Sequence, residues 1–165
     1  MNANQLGQLM DRHLPALVLY ARQWSAAPDD VVQDAFLKLV RQKRSPNNVV
    51  AWLYRVVRNA AIDSARSRKR RKRTETVAAE QKSGWFCSDI GSDLDAAEAT
   101  RVLQTLPLEE REVVIAHLWG NLTYEQIADV VGCSASTAHR RYLRGLESLR
   151  ERLRIPCPTQ ENPEI

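Results

Sequence analysis

The sequence predicts an all-α protein: two small helical domains joined by a flexible acidic linker, the second domain carrying a helix-turn-helix. Three observations predict it. Apolar residues recur every three or four positions almost throughout, with no sustained strand-like alternation. A polar stretch from Thr74 to Glu98 breaks that period, and the segment LTYEQIADVVGCSASTAHRR, Leu122 to Arg141, reads as two short helices hinged at Gly132. The expected boundaries are 1–73 and 99–155 for the domains, 74–98 for the linker and 156–165 for a loose, proline-rich tail.

The first amphipathic helix carries Leu6, Leu9, Met10, Leu14, Leu17 and Ala21 on one face, with Pro15 expected to kink or restart it. A second begins after Pro28, where Asp29 and Asp30 suit the positive end of the helix dipole. Val31, Val32, Ala35, Phe36 and Leu39 form its inner stripe. Its outer face holds Asp30, Gln33, Asp34, Leu37 and Arg41, and a leucine among those polar side chains is either one of the scattered exposed leucines every surface has or part of a docking surface. After the loop RQKRSPNN a long helix runs from about Val49 to beyond Arg66. Leu53, Val56, Val57, Ala60, Ala61 and Ser64 make its inner side, while Arg55, Arg58, Asn59, Asp63 and Arg66 share the other. Three arginines in line with an asparagine suit a phosphate track with some capacity for base edges. Trp52 and Tyr54 are placed to pack in the core or to stack on an unpaired base, with core packing favoured for Trp52. Six consecutive basic residues, Arg68 to Arg73, continue the arginine face.

The linker of 25 residues spans roughly 80 Å fully extended. Trp85 and Phe86 are out of place in a plain tether and suit an anchor against a domain or partner. From Ala96 a helix with Val102, Leu103 and Leu106 ends at Pro107. The next, LEEREVVIAHLW, is expected to bury Val113, Val114 and either His117 or Leu118 and to stop at Gly120-Asn121. Thr123 and Gln126 then form a capping box with Leu122 and Ile127 as a hydrophobic staple, Gly132 closes that helix in the left-handed conformation, and Ser134 caps the last one. Along the last helix Ala135, Ala138, Tyr142, Leu146, Leu149 and Leu153 fall on one stripe and Ser136, Thr137, Arg140, Arg141 and Arg144 opposite. Taken alone, the pattern fits a DNA-reading unit or an αα-hairpin with solvated arginines.

Charge is distributed in blocks. Residues 1–73 carry 15 Lys and Arg against 5 Asp and Glu, residues 74–99 carry 1 against 6, and the remainder carries 8 against 9. The basic first block favours a polyanion, whether nucleic acid or an acidic membrane surface, by long-range attraction and counterion release. No apolar run is long enough to span a bilayer and no signal peptide opens the chain, so a cytoplasmic protein without membrane insertion is expected. Three cysteines and three histidines, widely scattered, predict neither disulfides nor a metal site. With no nucleophile, base or metal cluster in evidence, no enzymatic activity and no cofactor are expected.

Two arginine-bearing domains on a long tether suggest bipartite contact with a duplex, in which linked weak sites gain through effective concentration. The stretches DDVVQDAFLKLVRQ, AWLYRVVRNAAIDSARSRKRR and LPLEEREVVIAHLWGNLTYEQIADVVGCSASTAHRRYLRGLESLRERL resemble, in order, the most recognisable parts of the extracytoplasmic-function (group 4, sigma-70 family) bacterial RNA polymerase sigma factors. The resemblance implies core RNA polymerase, promoter DNA and an anti-sigma factor as partners. It implies that Asp30, Gln33, Asp34 and Leu37 dock on the β′ clamp helices. Arg55, Arg58, Asn59 and Arg66 are then expected to face the minus-ten element, where the family flips out a base. Ser136, Thr137, Arg140, Arg141 and Arg144 are expected to read the minus-thirty-five element from a region 4 domain that also meets the β flap. The chain departs from the family pattern at SPNNVV before Trp52, at Ala135, Ala138 and His139, and in the length of its basic run. The competing reading is a stand-alone helix-turn-helix regulator without affinity for polymerase.

Overall fold

A computed structural model of the chain describes residues 2–74 and 101–153, and within them every regular element is a helix. Helix α1, Ala3–Ala21, starts earlier than its apolar stripe implies because Asn2 caps it: the Asn2 side chain accepts from the Gln5 amide at 2.8 Å and Gln5 returns the bond to the Asn2 amide. It runs unbroken through Pro15, so the expected restart is absent. Pro15 is exposed and so is Asp11, whose carbonyl is the one deprived of a helical donor and is left beside solvent. Helix α2, Pro28–Val40, takes proline in its first turn together with Asp29 and Asp30, and it buries Val31, Val32, Ala35, Phe36 and Leu39, the stripe its sequence predicts. Helix α3, Val49–Thr74, is 26 residues long. Only its first half is held: Leu53, Tyr54, Val57 and Ala61 are fully buried, whereas Lys69, Arg70 and Arg71 extend the same helix into solvent.

The C-terminal half begins with α4, described over residues 101–105, whose Leu103 and the following Leu106 pack with Val114, Tyr142 and Leu149. Helix α5 is Leu108–Leu118, α6 is Tyr124–Val131 and α7 is Ala135–Leu153. The turn chemistry is as the residues dictate. Thr123 accepts from the Gln126 amide and Gln126 returns the bond, Gly132 adopts φ +83°, and Ser134 Oγ accepts from the Thr137 amide at 3.2 Å. Leu122 and Ile127, the staple pair, are both buried.

The two halves share one core. Helices α1 and α3 pack against α5 and α6, and a single apolar cluster runs from Leu17, Tyr20, Tyr54 and Val57 into Val113, Ile115, Ala116 and Ile127. Sandwiched between the N-terminal bundle and its own neighbours α6 and α7, α5 buries five consecutive residues, Glu112 to Ala116. That exceeds the single stripe its sequence suggests, and Leu118 is exposed. Of the linker only Thr74 lies among the described residues; Trp85, Phe86, the rest of 75–100 and the tail lie outside them. No helix among the described residues is long and apolar enough to cross a membrane.

Candidate nucleic-acid and docking faces

The outer face of α2 presents Asp30, Gln33, Asp34 and Leu37 together, all exposed, at the i, i+3, i+4, i+7 spacing that puts residues on one side of a helix. Leu37 is 51% exposed and Val40, one turn on, 57%. Two neighbouring aliphatics form a small apolar strip inside a polar rim, which is the composition of a protein-docking face. The sequence reading missed Val40, although its spacing of three from Leu37 is legible. Beyond it, Lys38, Arg41, Gln42, Lys43, Arg44 and Trp52 line an open concave surface where a half-buried aromatic ring sits among cations. Such a surface suits a nucleic-acid strand, with the ring available to a base and the cations to phosphates.

Along α3, Arg55, Asn59 and Arg66 point outward and are exposed, with Arg66 only loosely paired to Asp63 at 3.8 Å. Arg58 differs. Its Nε donates to Glu112 Oε1 of α5 at 2.5 Å, the Tyr20 hydroxyl donates to the same oxygen at 2.6 Å, and the Trp24 ring lies 5.9 Å from the guanidinium carbon. Glu112 is 3% exposed. Burial raises the Tyr20 pKa well above its ordinary value and the Glu112 charge and hydrogen bond add to this, so the phenol stays a donor. For Arg58, burial pulls the pKa down, but the hydrogen bond and charge of Glu112 outweigh it and the net shift is upward. Arg58 is therefore fixed as a cation, held by a carboxylate, and is not available to DNA in this arrangement as Arg55 is. Nothing in the sequence around Glu112, one of three glutamates in LEEREVV, marks it as the buried one.

In the C-terminal half, Ser136, Arg140 and Arg144 are exposed on one face of α7, with Thr137 and Arg141 partly covered. Thr137 takes part in the capping cluster with Ser134, so its hydroxyl is already engaged at 2.9 Å. Arg141 donates to Glu109 at 2.5 Å and Arg144 lies 3.7 Å from Glu110, both on α5. Arg140 carries only a long contact to the Thr137 hydroxyl, 3.4 Å, and is exposed. The opposite stripe packs inward through Ala138, and His117 holds the hinge: its ring stacks on Tyr124, meets Tyr142 edge-on, and its Nδ1 lies 2.8 Å from the Leu122 carbonyl. His117 is thus a packing residue.

Comparison with known proteins follows the same division. Residues 9–71 match the family model described as Sigma-70 region 2, and residues 96–149 match Sigma-70, region 4. The chain is 30% identical over 134 residues to the RNA polymerase sigma-H factor of Pseudomonas aeruginosa, covering 73% of this chain and 69% of that protein. It is 29% identical over 131 residues to the sigma factor SigV of Bacillus subtilis, covering 75% and 74%. It is 26% identical over 160 residues to the ECF sigma-E factor of Escherichia coli, covering 88% and 79%. In fold it is similar to the sigma factor RpoE of Bartonella quintana, solved with the anti-sigma factor NepR, with TM-score 0.70 at 24% identity over 94% of this chain and all of that one. It is also similar to CnrH, solved with the cytosolic domain of CnrY, with TM-score 0.60 at 25% identity over 94% and 92%.

Proposed function

The chain belongs to the extracytoplasmic-function branch of the sigma-70 family, and from that premise we propose how its surfaces divide the work of starting transcription. It is a sigma factor: it binds core RNA polymerase and directs it to promoters. The exposed strip of α2, Asp34 and Leu37 with Asp30 and Gln33 beside them, is the polymerase-docking face. Carboxylates steer the approach to a basic partner and the leucine supplies the desolvated centre. Arg55, Asn59 and Arg66 of α3 face the minus-ten element, Arg58 joins them only once released from Glu112, and the basic concavity beside Trp52 receives an extruded base. Flipping a base costs a few kcal/mol and stacking and pocket contacts offset it. The α7 side chains Ser136, Thr137, Arg140, Arg141 and Arg144 enter the major groove at the minus-thirty-five element, where a bidentate arginine on guanine discriminates by about 1 to 3 kcal/mol.

These roles need no covalent chemistry by the chain itself, so it acts as a subunit rather than an enzyme, in the cytoplasm where polymerase works. An anti-sigma factor is the expected antagonist, by analogy with the partners in the two solved neighbours. The observation carrying the reading is that two unlike arginine faces sit on the two halves of one chain, each within its own matched region. Reconstituted transcription tests it: core polymerase with this chain on a genomic DNA library yields new, discrete start sites absent from core alone. Unchanged start sites, with the chain binding a palindromic site by itself, would instead identify a stand-alone regulator.

A further inference from the structure

Helix α3 runs well past the core that holds it. Ala61 is its last buried residue among those described, yet the helix continues to Thr74, and none of residues 67–71 is buried. From Arg66 the sequence reads RSRKRRKRT, without one apolar side chain. Projected at about 100° per residue, Lys69 and Arg70 fall with Arg55, Asn59 and Arg66 inside one stripe about 100° wide, whereas Arg71 lies about 100° beyond Arg70, off the stripe. Asp63, Arg66, Lys69 and Arg70 line one open concavity on this side of the helix, with Lys69 and Arg70 exposed. Cations three and four positions apart on a helix repel, and Arg66 has that spacing to Lys69 and Arg70. An anion laid along them relieves the repulsion. At the near end Asp63 sits 3.8 Å from Arg66 and repels phosphate, which places an anion contact one turn further on, at Lys69 and Arg70.

We propose that the overhanging end of α3, through Lys69 and Arg70, is a sequence-independent grip on the phosphate backbone of duplex DNA just upstream of the minus-ten element. The occupant is the spacer duplex, and its placement rests on the function proposed above. Lys69 lies about 25 Å along the helix axis from Trp52, the ring assigned to the extruded base, at about 1.5 Å per residue. The chain leaves α3 at this far end toward the half assigned to the upstream element, so the overhang lies between the two elements. Duplex fits the chemistry better than the other polyanions. A helix that binds a lipid surface needs an apolar face to bury, and this segment has none. A single strand is held by bases stacked on aromatic rings, and no aromatic ring lines this concavity. Guanidinium and ammonium groups in a row need only phosphates, which carry no sequence information.

The test is a salt titration of the full chain, without polymerase, on a short labelled duplex of arbitrary sequence, read by fluorescence anisotropy. Lys69→Gln with Arg70→Gln makes the slope of log affinity against log salt shallower by about 1.8, two contacts at about 0.9 each, so between about 50 and 200 mM salt its affinity falls about tenfold less than the parent's. Lys69→Arg with Arg70→Lys keeps the parent slope. Arg71→Gln, off the stripe, stays within about 0.3 of it. Lys69→Gln alone gives half the change and carries the test where the double variant loses helicity. In the holoenzyme, hydroxyl-radical footprints of the double variant lose protection at the upstream edge of the minus-ten patch. An unchanged slope, an equal effect from Arg71→Gln, or an unchanged footprint edge overturns the proposal. So does a double variant that loses binding to phosphatidylserine vesicles but not to duplex, which identifies a lipid surface instead. The titration uses neither polymerase nor promoter. An unchanged slope with normal initiation therefore refutes the grip alone, and the expected slope change in a chain that starts no transcription refutes the proposed function alone.

Discussion

The helix-turn-helix and the junction between the halves are built on opposite principles. In the first, the capping and turn contacts are local: Thr123 with Gln126, Ser134 with Thr137, Gly132 at φ +83° with no neighbouring atom within 4 Å of the place a Cβ would take. In the second, Tyr20, Arg58 and Glu112 meet across 54 and 92 residues, and Gly120 is crowded by the Tyr54 ring. The local unit leaves its key cation, Arg140, open to solvent; the long-range unit covers Arg58. On the roles proposed above, one half's DNA-reading face is complete and open while the other's is partly shielded by tertiary packing, and the two regions should respond differently to substitution.

The largest effect lies outside both. Asp34→Lys with Leu37→Glu reverses charge and polarity at the centre of the docking strip, and polymerase affinity should fall about 100-fold or more, as at an interface hot spot. Comigration on gel filtration reads it, while circular dichroism stays that of the parent because both side chains are exposed. Next comes a contrast of two glycines. Gly120→Ala sets a Cβ 2.4 Å from the Ala116 carbonyl oxygen and 2.7 Å from Tyr54, and overpacking of that kind costs about 1 to 3 kcal/mol. Gly132→Ala meets no neighbour and suffers only its left-handed backbone, about 1 to 2 kcal/mol. Urea midpoints measure both. A second-site Tyr54→Ala relieves the Gly120 variant in part and leaves the Gly132 variant unrelieved; relief of both would erase the distinction drawn here.

Arg140→Ala should weaken recognition of the upstream element by about tenfold, the scale of one arginine to base contact, with polymerase association intact. Competition binding with the assembled holoenzyme reads it. Thr123→Ala removes the cap of α6 and lowers stability by about 1 kcal/mol, seen in the same urea titration. The smallest effect concerns pH. His13 is buried in α1 with Nδ1 unpartnered, and burial, then the neighbouring Arg12 charge, lowers its pKa below the usual 6.5. The unfolded chain therefore binds the proton more readily. Stability is constant on this account above that value and declines as pH falls through it toward the folded-state pKa. His13→Gln should flatten that slope when melting is followed between about pH 7 and pH 5.

What the sequence made legible follows the same contrast. Caps, the left-handed glycine, the stripes of α2 and α7 and the exposed face with Leu37 depend on residues within a few positions of one another, and their periods carry the information. Glu112 does not. It sits in a run of acids that reads as solvent-facing, and only contact with the N-terminal half makes it a buried acceptor. Ile115 and Ala116 escaped for a related reason: a helix enclosed from two sides buries more than one stripe, and hydrophobic period alone cannot count its neighbours. Arg58 looked equivalent to Arg55 and Asn59 because they share a helical face, and the structure separates them by what packs against that face.

Hydroxyl-radical footprinting of the assembled holoenzyme on one of its mapped start sites probes the two-handed reading most directly. Two protected patches centred roughly 25 base pairs apart are expected, with Arg140→Ala thinning only the upstream patch and Arg55→Ala only the downstream one. A single patch, or one substitution erasing both while polymerase remains bound, would contradict it.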